Sequence, residues 1–373
     1  MLDTWFESKL TDRKKNSSLR ALTTTDLIDF TSNDYLGLAR SKELYDRITA
    51  ALKSEHIEKN GATGSRLLSG NSCYTQDVEE RLAKIFKSES ALIFNSGYAA
   101  NLGVLSSIPQ RGDTILYDEL AHACIKDGAR LSLAQRFSFR HNNPEDLEQK
   151  LKRAHGKIFI AVESIYSMDG DQCPLQRVVE LAENYQASVI LDEAHSTGAV
   201  GENGSGLAVS LGLEEKIAVR VYTFGKAMGI HGACVAGSSF LTQYLINFSR
   251  PFIYTTALSP HAIASIDCAF KFLSENISIQ QILTQKIELF RSATKEMANQ
   301  TDSNSAIQTA VFPGNEQVKR MANALQQNGF DVRPILSPTV PEGSERLRIC
   351  LHTYNHDNDI LKLCEGLVKL SQE

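Results

Sequence analysis

The feature that constrains the fold most is a regular alternation of short apolar strands and helical stretches between residues 76 and about 237. The strands are rich in β-branched and aromatic residues, and helical segments separate most of them, which is typical of a doubly wound, mostly parallel sheet. The candidate strands are 91–94, 114–117, 136–139, 158–163, 188–192, 219–224 and 233–236. The alternation therefore predicts an α/β fold with a seven-stranded sheet and helices on both faces.

Both flanks of this region carry further predicted elements. They are helices at 1–20, 41–55, 276–300, 315–328 and 357–371, and strands at 27–31, 307–312, 331–335 and 346–351. The last 70 or so residues mix helices and strands in a way that indicates a small α+β unit beside the main sheet. We therefore predict an N-terminal segment (residues 1–55), a large α/β domain (56–275) and a C-terminal α+β domain (276–373).

Composition excludes several classes of protein. The 373 residues are 42% hydrophobic, enough to bury one large core and a smaller one. The net charge is −5 without a long run of one sign, so we expect no binding to nucleic acid or to a membrane surface. The seven cysteines are scattered and form no CysXXCys motif, which argues against disulfides and against a bound metal. Without a signal sequence or an apolar run of about 18 residues, a cytoplasmic protein is expected.

Two of the predicted strands end in chemically active side chains. ValIleLeuAspGluAlaHis (189–195) contains Asp192, and ValTyrThrPheGlyLys (221–226) ends at Lys226. Parallel α/β sheets bind ligands at the carboxyl ends of their strands, so both groups are expected in one crevice. Pyridoxal 5′-phosphate (PLP) uses both, because its aldehyde reacts with a lysine and its ring nitrogen needs an anion to hold a proton. Either residue alone would indicate only a turn cap or a surface lysine.

Other groups at the same edge of the sheet are suited to this cofactor. AsnSerGlyTyrAlaAlaAsn (95–101) opens a helix directly after a strand, where free N–H groups and the helix dipole favour a phosphate. Gly97 allows a close approach of the backbone, and Tyr98 can stack on a flat ring. His122 follows strand 114–117 and can stack on the cofactor or touch the substrate. The alternatives are a turn without a ligand and a structural histidine.

Four further residues extend the candidate site. Glu163 and Ser167 lie at and after the end of strand 158–163, and His195 can hydrogen-bond to the phenolic oxygen of the cofactor. The hydroxyl of Thr223 is suited to phosphate. The glycine-rich loop at 61–71 is either a connector or a wall of the binding site.

Two other functions are weakened by the spacing of motifs. AspGluAlaHis (192–195) has the letters of a helicase box, but no GlyLysSer or GlyLysThr completes a phosphate loop. Gly201, Gly204 and Gly206 do not follow the GlyXGlyXXGly spacing of nicotinamide dehydrogenases. We therefore predict neither an ATPase nor a dehydrogenase.

Six motifs, which together cover nearly the whole chain, resemble the α-oxoamine synthases, a family of fold-type I PLP enzymes. In chain order they are SerAsnAspTyrLeuGly (32–37), GlyAlaThrGlySerArgLeuLeuSerGlyAsn (61–71), PheAsnSerGlyTyrAlaAlaAsn (94–101), SerMetAspGlyAsp (167–171), AspGluAlaHisSerThrGly (192–198) and ThrPheGlyLys (223–226). The resemblance implies a PLP-dependent acyltransferase that forms a homodimer with its active sites at the subunit interface.

Within the family, ThrPheGlyLys, ArgHisAsnAsn (140–143) and the segment 337–348 favour one activity. It is the decarboxylating condensation of L-alanine with a pimeloyl thioester, carried by coenzyme A or by an acyl carrier protein, in biotin biosynthesis. The first alternative is a sibling activity that joins glycine or serine to another acyl-CoA, as in glycine C-acetyltransferase, 5-aminolevulinate synthase or serine palmitoyltransferase. A remote alternative is a non-catalytic partner subunit, which would be expected to lack the lysine that this chain retains.

The resemblance also implies roles for individual residues. Lys226 would carry the cofactor and act as the base, Asp192 would pair with the pyridinium, and His122 would stack on the ring. The other cofactor contacts would be Gly97, Tyr98, Glu163, Ser167, His195, Thr223 and, toward a neighbouring subunit, Thr255 and Thr256. The substrate contacts would be Arg20, Asn33, Thr339 and Arg348. His231 departs from the family pattern, since a smaller residue is common at that position.

Overall fold

The computed structural model of the protein describes residues 2–372, and this part of the chain divides into two compact units. The larger unit consists of Leu36–Tyr166 and Gln172–Gln280; the smaller unit consists of the residues up to Tyr35, Ser167–Asp171, and the residues from Gln281 onward. This grouping differs from the predicted three parts, which separated residues 1–55 from both domains. The first 35 residues belong with the C-terminal elements, because Ile28–Asp29 pairs in parallel with Phe330–Asp331.

The helices and strands follow the predicted order. Helices α1 to α14 span Leu2–Lys15, Lys42–Ser54, Cys73–Ile85, Gly97–Ser107, Ala123–Leu131, Pro144–Leu151, Leu175–Asn184, Leu207–Ser210, Ser239–Phe248, Arg250–Ile253, Pro260–Glu275, Ser278–Ala293, Asn315–Gln327 and Asp357–Ser371. Strands β1 to β12 span Ile28–Asp29, Ser90–Phe94, Thr114–Asp118, Gln135–Phe139, Ile158–Glu163, Ser188–Asp192, Val219–Thr223, Ala233–Gly237, Ile307–Val311, Phe330–Asp331, Arg333–Ile335 and Arg346–Cys350.

The larger unit contains a seven-stranded sheet with the order β2-β8-β7-β6-β5-β3-β4. Strand β8 is antiparallel to both of its neighbours, and every other pair is parallel. All seven strands were predicted, with ends that differ by one residue at most. The central strands are recognisable because both of their faces are buried, so they are nearly continuous apolar runs. The predicted mostly parallel seven-stranded sheet is confirmed.

Helices cover both faces of this sheet, as predicted. Successive side chains of a strand point to opposite faces. On β6, Ile190 joins a core with residues of α4, α5, α9 and α10. Its neighbours Val189 and Leu191 join a second core with residues of α6, α7 and α8. The polar residues that end β6 and β7 therefore leave the sheet between two packed layers, at its carboxyl edge.

The smaller unit is the predicted α+β part. Its antiparallel sheet has the order β11-β12-β9, and β1 pairs with β10 in a two-stranded sheet. Phe30 of the N-terminal segment belongs to the same core as residues of α13, α14 and β12. Helix α1 buries none of its residues, and its Trp5 and Phe6 are exposed.

Three structural facts bear on the classes considered from composition. All seven cysteines are free thiols, six of them buried. Over residues 2–372, no three His, Cys, Asp or Glu side chains come together in a group that could hold a metal ion. In the same residues, no helix has both the length and the apolar character needed to cross a bilayer.

Candidate active site

The carboxylate of Asp192, the last residue of β6, is buried and held in a fixed orientation. Its Oδ2 accepts a hydrogen bond from Asn101 Nδ2 at 2.7 Å, and its Oδ1 accepts one from the N–H of Ala194 at 2.8 Å. The amide of Asn101, on α4, also donates to the carbonyl of Gly97 at 3.1 Å. Neutral donors therefore orient Asp192, and neither of them forms an ion pair with its carboxylate.

Lys226 shares this environment. It follows β7 in a turn closed by a hydrogen bond from Gly229 N–H to the Lys226 carbonyl at 2.8 Å. The charges of Lys226 and Asp192 both act on His122, one lowering its pKa and the other raising it, although burial is the largest cause and lowers the pKa overall. The same two charges act in opposite directions on the pKa of Glu163. The predicted amine and carboxylate thus lie near enough to His122 and Glu163 for their charges to act on both.

His122 caps helix α5, and this contact fixes the position of its proton. Its Nδ1 accepts the N–H of Cys124 at 3.2 Å and lies 2.9 Å from the Cys124 sulfur. A backbone N–H can only donate, so Nδ1 must supply a lone pair and the neutral ring carries its proton on Nε2. Burial lowers the pKa of His122, which favours this neutral form.

Glu163, the last residue of β5, is the second buried carboxyl group of the cluster. Burial, and after it the negative charge of Asp192, raises the pKa of Glu163 to about 8. Its Oε1 accepts a hydrogen bond from the backbone N–H of His122 at 2.6 Å. A protonated Glu163 reduces the repulsion between two neighbouring carboxyl groups and fixes the segment that leads into α5.

The predicted phosphate end of the site lies at the N-terminus of α4. The side chain of Ser96 caps the N–H of Ala99 at 3.2 Å, which leaves the first N–H groups, those of Gly97 and Tyr98, without a partner inside the helix. A Cβ atom at Gly97 would collide with the Cγ2 methyl of Thr223. Only glycine therefore fits here, and Gly97 lies against Thr223.

Tyr98 is turned toward the surface of α5. Its side chain is partly exposed, and its hydroxyl donates to Asp127 Oδ2 at 2.6 Å. His195 is buried three residues beyond the end of β6. The hydroxyl of Thr223 lies 3.4 Å from the carbonyl of Ala194, in the same turn as His195.

Thr255 and Thr256 lie beside the end of β2, in the same subunit. The amide of Asn95 donates to Thr255 Oγ1 at 3.3 Å and to the carbonyl of Thr256 at 2.8 Å. The glycine-rich loop at 61–71 is joined to this segment, because the N–H of Ala257 donates to the carbonyl of Gly64 at 2.9 Å.

A buried ion pair anchors the same loop. Arg66 binds Glu79 through two hydrogen bonds of 2.8 and 2.9 Å. The loop is therefore an ordered part of the larger unit. His231, the departure from the family pattern, is exposed in the turn before β8.

The four predicted substrate residues form two pairs, both inside the smaller unit. Arg348, on β12, donates from Nη2 to Asn33 Oδ1 at 3.0 Å and from Nε to the carbonyl of Ser167 at 2.6 Å. Arg20 donates to Thr339 Oγ1 at 3.0 Å in an exposed contact. Ser167, predicted as a cofactor contact, thus meets Arg348 through its backbone.

Sequence reasoning missed two residues that orient the predicted groups. Asn101 holds Asp192, and Cys124 supplies the N–H that fixes the ring of His122. Both lie within or next to motifs that were recognised. Asn101 is four residues after Gly97, one helical turn into α4, so its side chain returns to the same face of the helix as the N-terminus. This spacing is the signal that could have identified it.

The family model for aminotransferase class I and II matches residues 25–367. The chain belongs to the aminotransferase class I and II family. Membership, together with fold neighbours solved with PLP, confirms the predicted fold type and the predicted PLP-dependent enzyme class.

Relatives in this family share sequence over nearly the whole chain. The 8-amino-7-oxononanoate synthase of Emericella nidulans is 40% identical over 363 residues, which cover 91% of this chain and 88% of that relative. The protein of the same name from Lysinibacillus sphaericus is 38% identical over 349 residues, with 92% and 88% covered. 8-Amino-7-oxononanoate synthase 2 of Bacillus subtilis is 34% identical over 389 residues, with 100% and 98% covered.

Solved structures of the family share the fold. A serine palmitoyltransferase from S. paucimobilis, with a bound PLP–myriocin adduct, has a TM-score of 0.91 and 26% identity over 100% of this chain and 98% of its own. The 8-amino-7-oxononanoate synthase of Francisella tularensis has a TM-score of 0.80 and 29% identity, with 92% and 97% covered.

The side chains of the larger unit fit PLP. The buried Asp192 carboxylate can pair with a protonated ring nitrogen, and Asn101 Oδ1 beside it is a buried acceptor without a protein partner among the described residues. The absence of a side chain at Gly97 leaves room for a phosphate at the N-terminus of α4. Lys226 could supply the amine for the aldehyde, and the neutral ring of His122 offers a flat face.

Proposed function

We propose that the protein catalyses the decarboxylating condensation of L-alanine with a pimeloyl thioester, giving 8-amino-7-oxononanoate for biotin biosynthesis. The observation that carries the proposal is the cluster of Asp192, Lys226 and His122 at the carboxyl edge of the sheet. Its context also supports the proposal, since relatives named 8-amino-7-oxononanoate synthase align with 91% or more of this chain at 34–40% identity.

In this proposal the larger unit performs the covalent chemistry. When bound, PLP would supply an aldehyde for Lys226 and an electron-withdrawing ring next to the substrate Cα. The carboxylate of Asp192, held by Asn101 and by the N–H of Ala194, would keep a proton on the ring nitrogen. The Nζ of Lys226 would remove the proton from the substrate Cα and later return one.

His122 and Glu163 would set the geometry around this proton transfer. The Nδ1 of His122 is occupied by the helix cap, so the ring can stack and donate from Nε2 but is not available as a base. This leaves Lys226 as the base of the cluster. Glu163 holds the backbone of His122 and, when protonated, adds no charge that would compete with Asp192.

Arg348 is suited to bind the carboxylate of alanine. No carboxylate within the described residues forms a salt bridge with it, and the three hydrogen bonds from its guanidinium go to neutral acceptors. Its positive charge is therefore oriented without being neutralised. A guanidinium in this state binds a carboxylate by charge-assisted hydrogen bonds. We assign the acyl substrate to the exposed pair of Arg20 and Thr339.

The experiment that tests the proposal is identification of products by mass spectrometry. The purified holoenzyme is supplied with L-alanine and either pimeloyl-CoA or a pimeloyl-loaded acyl carrier protein, and 8-amino-7-oxononanoate is expected from at least one of the two. The same protein with Lys226→Ala should give no product and no lysine-bound cofactor. Absence of product with both carriers, at full cofactor occupancy, would contradict the proposal.

A second candidate is the condensation of L-serine with a palmitoyl thioester, because serine palmitoyltransferase structures match this fold with TM-scores of 0.90–0.91. Sequence identity to these structures is 25–27%, against 34–40% for the relatives named above, so we place this candidate second. Parallel reactions of alanine, glycine and serine with pimeloyl, acetyl, succinyl and palmitoyl thioesters distinguish the two activities.

We further propose a homodimer in which Thr255 and Thr256 reach the phosphate bound by a neighbouring subunit. Support comes from their position beside Asn95, at the strand end that leads into the phosphate-binding helix. If sites are shared, mixing subunits with Lys226→Ala and subunits with Thr256→Ala should restore part of the activity that each variant lacks. No recovery in verified mixed dimers would mean that each subunit contains its whole site.

A further inference from the structure

We propose that Tyr35 is a positioning residue for amino-acid recognition. Its buried hydroxyl orients the amide of Asn33 so that the amide nitrogen, with Arg348, faces the carboxylate of the substrate. This inference deepens the proposed function and rests on it, since it takes Arg348 and Asn33 as the carboxylate site. All three residues belong to the smaller unit.

The hydrogen bonds around Asn33 determine which end of its amide faces inward. Arg348 Nη2 and the Tyr35 hydroxyl both lie 3.0 Å from Asn33 Oδ1. A guanidinium can only donate, so the atom that it contacts must be the amide oxygen. The oxygen thus accepts from two groups on one side. The amide nitrogen is directed away from them, and it has no hydrogen-bond partner among residues 2–372.

The proton of Tyr35 can be placed by the same reasoning. The side chain is 1% exposed, and burial raises the pKa of its hydroxyl, so the group stays protonated. The oxygen of the Asn33 amide can only accept, so the hydroxyl gives its own proton to Asn33 Oδ1. The Tyr35 hydroxyl and the Arg348 guanidinium therefore meet at the same oxygen of Asn33.

Other contacts of Arg348 hold the guanidinium but do not orient Asn33. Its Nε donates to the carbonyl of Ser167 at 2.6 Å, and its Nη1 to the sulfur of Cys350 at 3.0 Å. Burial raises the pKa of the Cys350 thiol, which therefore remains neutral. Loss of the Tyr35 hydroxyl would leave Arg348 in place but would remove one of the two hydrogen bonds that orient the amide of Asn33.

The consequence is a specific defect in carboxylate recognition. In the Tyr35→Phe holoenzyme, we expect the Kd and the KM for L-alanine to rise about fivefold to tenfold, the effect of one lost hydrogen bond. Ethylamine has the amine of alanine without its carboxylate, so its Kd should stay as in the wild type. The KM for the pimeloyl thioester and the kcat at saturating alanine should also stay close to wild-type values.

The test titrates alanine and ethylamine against the absorbance of the bound cofactor. Tyr354→Phe is the matched control, because it removes a tyrosine hydroxyl that donates to Asp29 at 2.8 Å in the same unit. It should lower the melting temperature without changing the ratio of the two affinities. Arg348→Lys should weaken the binding of alanine and leave the binding of ethylamine unchanged.

Two outcomes are separable. If Arg348→Lys changes the alanine-to-ethylamine ratio and Tyr35→Phe does not, the role of Tyr35 is refuted and the proposed carboxylate site stands. If neither variant changes the ratio, the carboxylate site itself is refuted.

Asn33→Asp provides a second test if Tyr35→Phe does not fold. It keeps an acceptor for Tyr35 and Arg348 but replaces the inward amide nitrogen by an oxygen that repels a carboxylate. Alanine should then bind at least tenfold more weakly while ethylamine is retained. If Asn33→Asp binds alanine as tightly as the wild type does, the proposed orientation of the Asn33 amide is refuted.

Discussion

Replacing Asn101 by alanine tests the structural account of the cofactor site most directly. The change removes one 2.7 Å hydrogen bond to Asp192 Oδ2 and leaves the second, from Ala194 N–H to Oδ1. A buried hydrogen bond to a charged group contributes about 1.5–3 kcal/mol. If this bond serves to hold Asp192 against the ring nitrogen in the transition state, the loss appears in kcat. It should amount to roughly 10- to 150-fold.

The assay compares variants at equal cofactor occupancy, which is verified from the absorbance of the bound cofactor. Asn101→Ala should reduce kcat with little change in the KM for either substrate, because Asn101 contacts neither. Asn299→Ala is a suitable control, since it removes an amide that donates to the carbonyl of Val311 in the smaller unit. The control should cost stability but leave kcat within about twofold.

A wild-type kcat in an Asn101→Ala enzyme that is fully loaded with cofactor would refute the role of Asn101. That result would mean that Ala194 N–H and the surrounding packing suffice to orient the carboxylate. If Asn101→Ala binds the cofactor more weakly but has a wild-type kcat at saturating cofactor, Asn101 contributes to cofactor affinity and not to kcat.

Three further predictions concern neighbours of this carboxylate. Glu163→Gln keeps the acceptor for the His122 N–H but cannot ionise. The pKa of Glu163 rises from 4.5 to about 8 on folding, so the folded protein binds a proton that the unfolded chain releases. The free energy of unfolding of the wild type should therefore fall as the pH rises between these two values. In chemical denaturation of the cofactor-free protein, the free energy of unfolding of Glu163→Gln minus that of the wild type should grow by at most about 1.4 kcal/mol for each unit that the pH is raised. If the two free energies change in parallel with pH, the raised pKa of Glu163 is contradicted. Gly97→Ala should weaken cofactor binding at least tenfold, because its Cβ collides with the Cγ2 methyl of Thr223. Adding Thr223→Ser to this variant removes the methyl and should restore part of the affinity in an equilibrium titration. His122→Asn retains an acceptor for the Cys124 N–H, whereas His122→Phe retains a ring. If His122 acts by stacking, His122→Phe should have the higher kcat when both variants are equally well folded. A higher kcat for His122→Asn would show that the helix cap matters more than stacking.

The sheet could be predicted because its information is local. Each buried strand is a run of apolar residues, and the polar residue that ends it marks the carboxyl edge, so the sequence alone predicts that Asp192 and Lys226 lie at that edge. The grouping of the N-terminal segment could not be predicted in this way. The pairing of Ile28 with Phe330 joins residues about 300 positions apart, and no local pattern encodes it.

The spacing from Gly97 indicates which helix face carries Asn101, but the hydrogen-bond partners of Asn101 and Tyr35 were beyond the sequence. Asn101 lies inside a helix and Tyr35 inside a turn-rich motif, and neither position differs in composition from a structural residue. Their roles depend on which atom is the donor and which the acceptor. That information appears only when Asn101 is found beside Asp192, and Tyr35 beside Asn33 and Arg348.

Asp192 in the larger unit and Arg348 in the smaller unit are each oriented by an amide rather than by an ion pair. Asn101 donates to Asp192, and Asn33 accepts from Arg348. An opposite charge at either position would fix the side chain equally well, but it would also neutralise the field that attracts a ligand. An amide avoids this, since it provides direction without net charge. The pattern therefore favours a cationic group as the ligand of Asp192 and an anionic group as the ligand of Arg348, as a pyridinium and an amino-acid carboxylate would be.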